Sequence, residues 1–272
     1  MRTPRSLVAR LALAAPLVLA SGCGGGNGGG GVQVNYVAVA GDWDGDRIDS
    51  VGVYDPATAT FFLKNANGPG AADILFSFGA GGAFVPLSGD WDGDGDDTVG
   101  LYDPATATFF LKNTNSPGAA DLTFVFGAPG NTPLAGDWNG DGTDSVGVYV
   151  SGTATWFLRN ANASGAADFT FGYGPTSGPA LVRAGDFDGD GDDTPGVYDP
   201  ATGFFFLRNS NSPGNADLIF TFGQGGAPLV GDWNGDGVPG VGVYQPATGA
   251  FFLRNARSSG PADLTFTFAP TN

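Results

Sequence analysis

The chain has 272 residues, among them 48 Gly, 22 Phe and 27 Asp, but it contains no Glu and no His. Its formal net charge of −16 repels phosphate backbones, which argues against a nucleic-acid partner and favours a positive one such as a divalent cation. Because general acid–base catalysis would fall to Asp alone, we expect that the protein is not an enzyme.

The first 22 residues have the features of a bacterial export signal. Three basic residues, Arg2, Arg5 and Arg10, precede an apolar run at 11–20 that is too short to span a bilayer. We therefore predict that residues 1–22 are a signal peptide.

The only cysteine, Cys23, directly follows this segment. Its position after small residues resembles the lipobox of bacterial lipoproteins, although Ala20 stands where that family usually has Leu. The resemblance implies lipid on Cys23, attachment to a membrane and a location in the bacterial cell envelope, facing periplasm or exterior. The alternative is an ordinary secretory signal with an incidental cysteine. The glycine-rich stretch 23–31 is typical of a flexible tether.

Residues 32–272 contain five copies of one repeat. A Gly-Asp-aromatic signature recurs at spacings of 48, 47, 49 and 46 residues, and each copy has four short apolar runs separated by turn residues. Runs without alternation, such as 109–111, indicate strands buried on both faces. Four-strand repeats of about 40–50 residues are typical of β-propellers. The sequence predicts an all-β propeller of about five four-stranded blades, with repeat cores at 41–79, 89–127, 136–174, 185–223 and 231–268.

A basic residue ends the third apolar run of each copy, and an Asp follows nine residues later. This constant offset across a turn predicts hairpins whose cross-strand neighbours form exposed charge pairs. The five pairs are Lys64–Asp73, Lys112–Asp121, Arg159–Asp168, Arg208–Asp217 and Arg254–Asp263.

Three positions depart from the repeat. Arg183 lies in an apolar run, Trp156 replaces Phe, and Tyr173 is interpreted as an insertion between Gly172 and Gly174. A basic residue near aromatic side chains is compatible with a sugar or peptide site, and simple drift of the repeat is the alternative.

An aspartate-rich loop follows each Gly-Asp-aromatic signature. Oxygen ligands at every second residue converge on one point when intervening glycines let the backbone curl, and calcium takes six to eight such oxygens. We predict that Ca²⁺ binds these loops; the alternative is a set of Asp-Gly turns without metal. The candidate ligands are Asp42, Asp44, Asp46 and Asp49; Asp90, Asp92, Asp94 and Asp97; Asp137, Asn139, Asp141 and Asp144; Asp186, Asp188, Asp190 and Asp193; and Asp232, Asn234 and Asp236.

The five loops are not equivalent. We expect calcium in copies two to four. In copy one, Arg47 replaces the turn glycine and brings a positive charge near the ion, and in copy five Val238 and Pro239 stand where the last acid belongs. The copy-five site is therefore expected to be weak or vacant.

The loops, together with the Phe-Gly pairs at 78–79, 126–127 and 222–223, resemble FG-GAP/VCBS-type repeats, the integrin-α-like propeller blades. The resemblance covers residues 32–272. It implies that the loop joins the first two strands of a blade and binds calcium through positions one, three, five and nine; here the last acid falls at position eight.

This resemblance implies a non-catalytic binding or adhesion module for a surface protein or a glycan. A polysaccharide-acting enzyme and a purely structural surface scaffold are the alternatives. No serine lies in a nucleophile-elbow pattern, and the Asp residues outside the loops recur at structural positions, so the sequence favours binding.

Overall fold

The computed structural model describes residues 35–270, and all regular elements in that part of the chain are β-strands. Twenty strands form five four-stranded sheets, each an antiparallel meander of consecutive strands. Blade 1 comprises β1 Val37–Gly41, β2 Ser50–Asp55, β3 Thr60–Leu63 and β4 Ile74–Ser77. Blade 2 comprises β5 Val85–Gly89, β6 Thr98–Asp103, β7 Thr108–Leu111 and β8 Leu122–Val125. Blade 3 comprises β9 Thr132–Gly136, β10 Ser145–Val150, β11 Thr155–Leu158 and β12 Phe169–Gly172. Blade 4 comprises β13 Leu181–Gly185, β14 Thr194–Asp199, β15 Phe204–Leu207 and β16 Leu218–Thr221. Blade 5 comprises β17 Ala227–Gly231, β18 Gly240–Gln245, β19 Ala250–Arg254 and β20 Leu264–Thr267.

The blades form a closed ring, which confirms the predicted five-bladed propeller. The first strands of successive blades contact one another, and β17 of the last blade contacts β1 of the first. The hydroxyl of Tyr36, just before β1, also donates a hydrogen bond to the carbonyl of Pro270, just after β20. Signal segment 1–22, Cys23 and tether 23–31 lie outside the described residues. Within the described part of the chain, no helix is long and apolar enough to cross a membrane.

The core is a row of aromatic rings in each blade, packed against the next blade. In blade 1 the rings of Tyr54 and Phe61 have centroids 4.6 Å apart, and Phe76 stacks on Phe61 at 5.7 Å. Each of the five hydrophobic clusters joins residues of two adjacent blades. The second strand is buried on both faces, because alternate side chains serve the two junctions on either side of the blade.

The Gly-Asp-aromatic signature has a packing role at the end of each first strand. The indole of Trp43 donates a hydrogen bond to the carbonyl of Ser50 at 3.1 Å, which fixes the start of the loop against β2. A Cβ on Gly41 would lie 2.7 Å from Asp97 Oδ2 of the neighbouring blade. Glycine is required there because that carboxylate approaches the backbone closely.

The predicted hairpins form, but the predicted charge pairs are mostly replaced by hydrogen bonds to the backbone. In all five blades the Asp carboxylate accepts from the amide that follows the basic residue, as in Asn113 to Asp121 at 2.8 Å. The basic side chain instead donates to a carbonyl seven residues ahead, as Lys112 does to Ala119 at 3.1 Å. Among the described residues the one ion pair of this kind is Lys64–Asp73, at 3.9 Å.

The interpretation of Tyr173 as an insertion is wrong. Its amide donates to the carbonyl of Ala154, as the amide of Phe126 does to Ala107 in blade 2, so Tyr173 replaces the Phe of the Phe-Gly pair. Gly172, the last residue of β12, stands where blade 2 has Val125. Because Gly172 and Gly174 flank Tyr173, the sequence alone did not show which of them belongs to the Phe-Gly position of the repeat.

Candidate functional site

Each aspartate loop joins the first and second strands of a blade and wraps around the carboxylate of its first Asp. In blade 2, Oδ1 of Asp90 accepts the amides of Gly93 and Asp94, and its Oδ2 accepts the amide of Gly95 at 2.9 Å. Gly93 and Gly95 have φ of 74° and 96°, the left-handed conformation that lets the loop curl. The first Asp therefore organises the loop through its bonds to these amides.

Three loops bring three carboxylates together, so that one oxygen from each lies within 4.8 Å of the others. Two oxygens bound to one calcium at about 2.3–2.6 Å are at most about 5 Å apart, so this spacing fits that ion. The donor set, consisting of carboxylate oxygens alone, is also the one that a hard cation takes. The three clusters are Asp42, Asp44 and Asp46 in blade 1; Asp90, Asp92 and Asp94 in blade 2; and Asp186, Asp188 and Asp190 in blade 4.

The charged form of the middle carboxylate in each cluster is destabilised by its surroundings. Partial desolvation raises the pKa of Asp92 above its usual value, and repulsion from Asp94 and Asp90 adds to the effect. The same causes raise the pKa of Asp44 and Asp188. A bound cation would offset this repulsion.

The loops of blades 3 and 5 are organised differently, because Asn replaces the middle Asp. The amide nitrogen of Asn139 donates to Asp141 Oδ2 at 2.9 Å, and Asn234 donates to Asp236 in the same way at 3.0 Å. The amide satisfies the third carboxylate without an ion. The sequence analysis expects calcium in blades 2 to 4; three-carboxylate clusters are present in blades 1, 2 and 4, because blade 3 has the amide of Asn139 as its middle side chain.

The fourth predicted ligand of the loops in blades 1 to 4 has a separate role between blades. Asp97 Oδ2 accepts the amide of Asp42 in the preceding blade at 2.9 Å, and the amide of Asp97 donates to the carbonyl of Asp42 at 2.7 Å. We call this two-bond arrangement the inter-blade clasp. It recurs where Asp144 meets Asp90, where Asp193 meets Asp137, and where Asp49 meets Asp232.

The fifth junction, between blades 4 and 5, cannot form the clasp. Pro239 occupies the position of the last Asp and offers neither a carboxylate nor an N–H group. Here Arg183, which replaces an apolar residue of the first strand, donates through Nε to the carbonyl of Pro228 in blade 5 at 2.9 Å. This side chain thus joins the two blades, and a ligand is not needed to explain it.

The four clasp aspartates and Arg183 line one cavity of about 390 Å³, enclosed by the first strands of the blades. Burial raises the pKa of Asp49 and of Asp193 to about 7. Burial, together with the charges of Asp49 and Asp144, holds the pKa of Asp97 well above its usual value. The clasp aspartates therefore hold their protons to a higher pH than free carboxyl groups do.

Asp96 is a candidate site residue that the sequence did not single out. A Cβ on Gly45 of the blade 1 loop would lie 2.2 Å from Asp96 Oδ1, so this carboxylate of blade 2 reaches the loop of blade 1. Its charge also raises the pKa of Asp44. Spacing within one repeat could not reveal this contact, because the two residues belong to different repeats.

No family model matches the chain, and no curated protein matches it. Among solved structures, the chain is similar to an Agrocybe aegerita lectin described for its specific recognition of non-reducing terminal N-acetylglucosamine. That alignment has 15% identity and a TM-score of 0.43 and covers 85% of this chain and 66% of the lectin. It is also similar to BBS1N in a complex with ARL6DN, with 11% identity, a TM-score of 0.40 and coverage of 85% and 68%. Neither similarity bears on the function of this chain.

Proposed function

We propose that the protein is a calcium-binding, lipid-anchored β-propeller of the bacterial cell envelope that acts as a non-catalytic binding module for a surface protein or a glycan. The observation that carries the calcium part is the set of three-carboxylate loops in blades 1, 2 and 4. Such clusters are costly without a cation, since like charges at this distance repel one another.

In each of these blades the first, third and fifth loop residues would hold the ion. Calcium would supply two positive charges, which offset most of the charge of the three carboxylates and would fix the loop. The first Asp would keep its bonds to the loop amides, such as the 2.7 Å bond from Arg47 to Asp42. The resulting rigid loops are suited to presenting a surface for recognition rather than to chemistry.

Isothermal titration of chelator-treated protein with Ca²⁺ tests the metal assignment. We expect binding to blades 1, 2 and 4, and selective loss of one site in Asp44→Asn, Asp92→Asn or Asp188→Asn. Asp141→Asn is the matched control in blade 3, where Asn139 already satisfies the carboxylate. Unchanged titrations for all three site variants would contradict the proposal.

The anchor and the binding role need separate tests. Mass spectrometry of protein from the bacterial host should find acyl chains on Cys23, and Cys23→Ala should release the protein from the membrane fraction. An unmodified N-terminus beyond residue 23 would overturn the anchor. A glycan array probed with the residue 32–272 propeller, with and without calcium, tests the glycan branch of the binding role.

A further inference from the structure

A second candidate site lies between blades 3 and 4, away from the aspartate loops. A cavity of about 720 Å³ opens there, and its lining is mainly apolar. Val197, Phe206 and Ile219 form its blade 4 wall, because they are cross-strand neighbours on β14, β15 and β16. Tyr173 and Ala180 also line it.

The repeats themselves show what fills this position elsewhere in the ring. In blade 2, Phe84 precedes the first strand and packs edge-on against Phe110 of β7, with centroids 5.9 Å apart. In blade 1, Tyr36 packs in the same way against Phe62 at 6.0 Å. Blade 4 has Ala180 at this position, which cannot cover Phe206 as an aromatic ring would.

The small residue at the same position of blade 5 does not leave the same space. In blade 5 the residue is Gly226, and the chain lies so close to β18 that a Cβ would be 2.5 Å from the carbonyl of Tyr244. The link between blades 3 and 4 is longer, since the signatures they join are 49 residues apart, against 46 for blades 4 and 5. Residues of this longer link, from Gly174 to Ala180, form part of the cavity lining.

Tyr173 adds a polar group that the other blades lack at this position. The side chain is 7% exposed, and its hydroxyl has no hydrogen-bond partner in the described part of the chain. Phe occupies the same place in the other four blades, at 78, 126, 222 and 268. A buried hydroxyl without a partner is unfavourable, so a ligand that accepts or donates a hydrogen bond there would remove that cost.

Within residues 35–270, Asp199 is the one charged residue that lines the cavity. Its carboxylate oxygens accept bonds from the amide of Ala201 at 2.9 Å and the hydroxyl of Thr202 at 2.6 Å, and each retains a lone pair. With an acidic protein around it, this carboxylate favours a ligand that carries a positive charge.

We propose that the cavity between blades 3 and 4 binds a small planar aromatic molecule carrying an amine. Its ring packs against Phe206 as the ring of Phe84 packs against Phe110, the Tyr173 hydroxyl hydrogen-bonds to it, and its ammonium group pairs with Asp199. Residues 1–34 and 271–272 contain no aromatic side chain, so these termini cannot supply the ring.

The chain offers a direct reporter, because it has only three isoleucines: Ile48, Ile74 and Ile219. Of these, Ile219 lines the cavity. In protein labelled with ¹³C at the isoleucine δ1 methyl groups, titration with tyramine should shift the Ile219 signal in a saturable way and leave the other two in place. The Ile219→Val variant assigns the signal. The experiment needs no calcium, so its result is independent of the metal sites.

Three variants separate the parts of the proposal. Ala180→Phe places a ring over Phe206 and should weaken tyramine binding at least tenfold. Asp199→Asn should weaken it about tenfold or more, since it removes a charged partner, whereas Asp103→Asn alters the same turn in blade 2 and should have no effect. Tyr173→Phe reproduces the other blades and should weaken binding severalfold, even if Ala180→Phe fails to fold.

A matched ligand tests the charge. The acid 3-(4-hydroxyphenyl)propionate has the same ring but a negative group, and it should shift Ile219 at least tenfold more weakly than tyramine. Equal shifts from the acid, equal shifts of all three isoleucines, or undiminished binding to Asp199→Asn and Tyr173→Phe would each overturn the proposal. A shift of Ile219 by N-acetylglucosamine but not by tyramine would overturn it as well.

Discussion

The carboxylate of Asp97 in blade 2 accepts a hydrogen bond of 2.9 Å from the amide of Asp42 in blade 1, while its own amide donates to the Asp42 carbonyl at 2.7 Å. Two backbone polar groups at the blade junction are satisfied by one residue. Asp42 also begins the aspartate loop and holds its amides, so the loop and the blade junction share a residue. A change in either one is therefore expected to affect the other.

Asp97→Ala should destabilise the propeller by about 1–3 kcal/mol, because it leaves the Asp42 amide without its acceptor. Asp97→Asn should cost less, since the side-chain oxygen can still accept that bond and the repulsion from Asp49 and Asp144 disappears. Urea unfolding of the two variants checks this order. Equal losses would show that the hydrogen bond contributes little.

The junction between blades 4 and 5 should open before the others. Asp186 there faces Pro239, whereas the equivalent amides of Asp42 and Asp90 are held by clasp carboxylates at 2.9 and 3.0 Å. Native-state hydrogen exchange should find the Asp186 amide less protected than those two. If it is equally protected, the contacts of Arg183 compensate fully for the missing clasp.

The sequence predicted the architecture well because the length of one repeat can be read from the spacing of the Gly-Asp-aromatic signature. Spacings of 46–49 residues and four apolar runs per copy sufficed for five four-stranded blades. It did not anticipate the inter-blade hydrogen bond of Asp97, whose spacing suggested a loop ligand, because its partner Asp42 lies in another blade, 55 residues away. A pattern within one repeat cannot report contacts between repeats.

The cavity between blades 3 and 4 was hidden for a similar reason. The sequence marked Tyr173 as unusual, but its meaning depends on Ala180 and on Phe206 of the next blade. The cavity exists where an aromatic residue is missing, and a missing residue produces no recognisable motif in the sequence. A comparison of the residues that precede the first strands would have found the difference, because this residue is Tyr36 in blade 1, Phe84 in blade 2 and Ala180 in blade 4.

Stability in chelator should fall as the pH rises from about 5 to about 8. The pKa of Asp49 and Asp193 is about 7 in the folded chain, so the folded state retains protons that the unfolded state releases above about pH 4. This contribution is full below the unfolded pKa and is lost as the pH passes the folded one. Unfolding free energies at several pH values provide the measurement, and the double variant Asp49→Asn/Asp193→Asn should show a flatter profile. A stability that rises with pH would contradict this account.

Arg47→Gly should stabilise the protein by about 0.5–1 kcal/mol. Arg47 has φ of 70°, in the left-handed region that glycine, its counterpart in the other loops, adopts without strain. Arg47→Ala is the matched control, because it removes the same charge but keeps the strained backbone. Denaturant unfolding in chelator should show a gain for glycine and none for alanine.

The most direct test of the calcium proposal is thermal unfolding in millimolar calcium and in chelator. At about ten times Kd one site adds roughly 1.4 kcal/mol, and three sites about 4 kcal/mol, so chelation should lower Tm by several degrees or more. Magnesium should restore Tm poorly because it dehydrates reluctantly. Asp94→Ala and Asp190→Ala should each reduce the calcium-dependent gain more than Asp236→Ala, whose carboxylate Asn234 already satisfies. Equal Tm values in calcium and chelator would contradict the account and leave the loops as turns without metal.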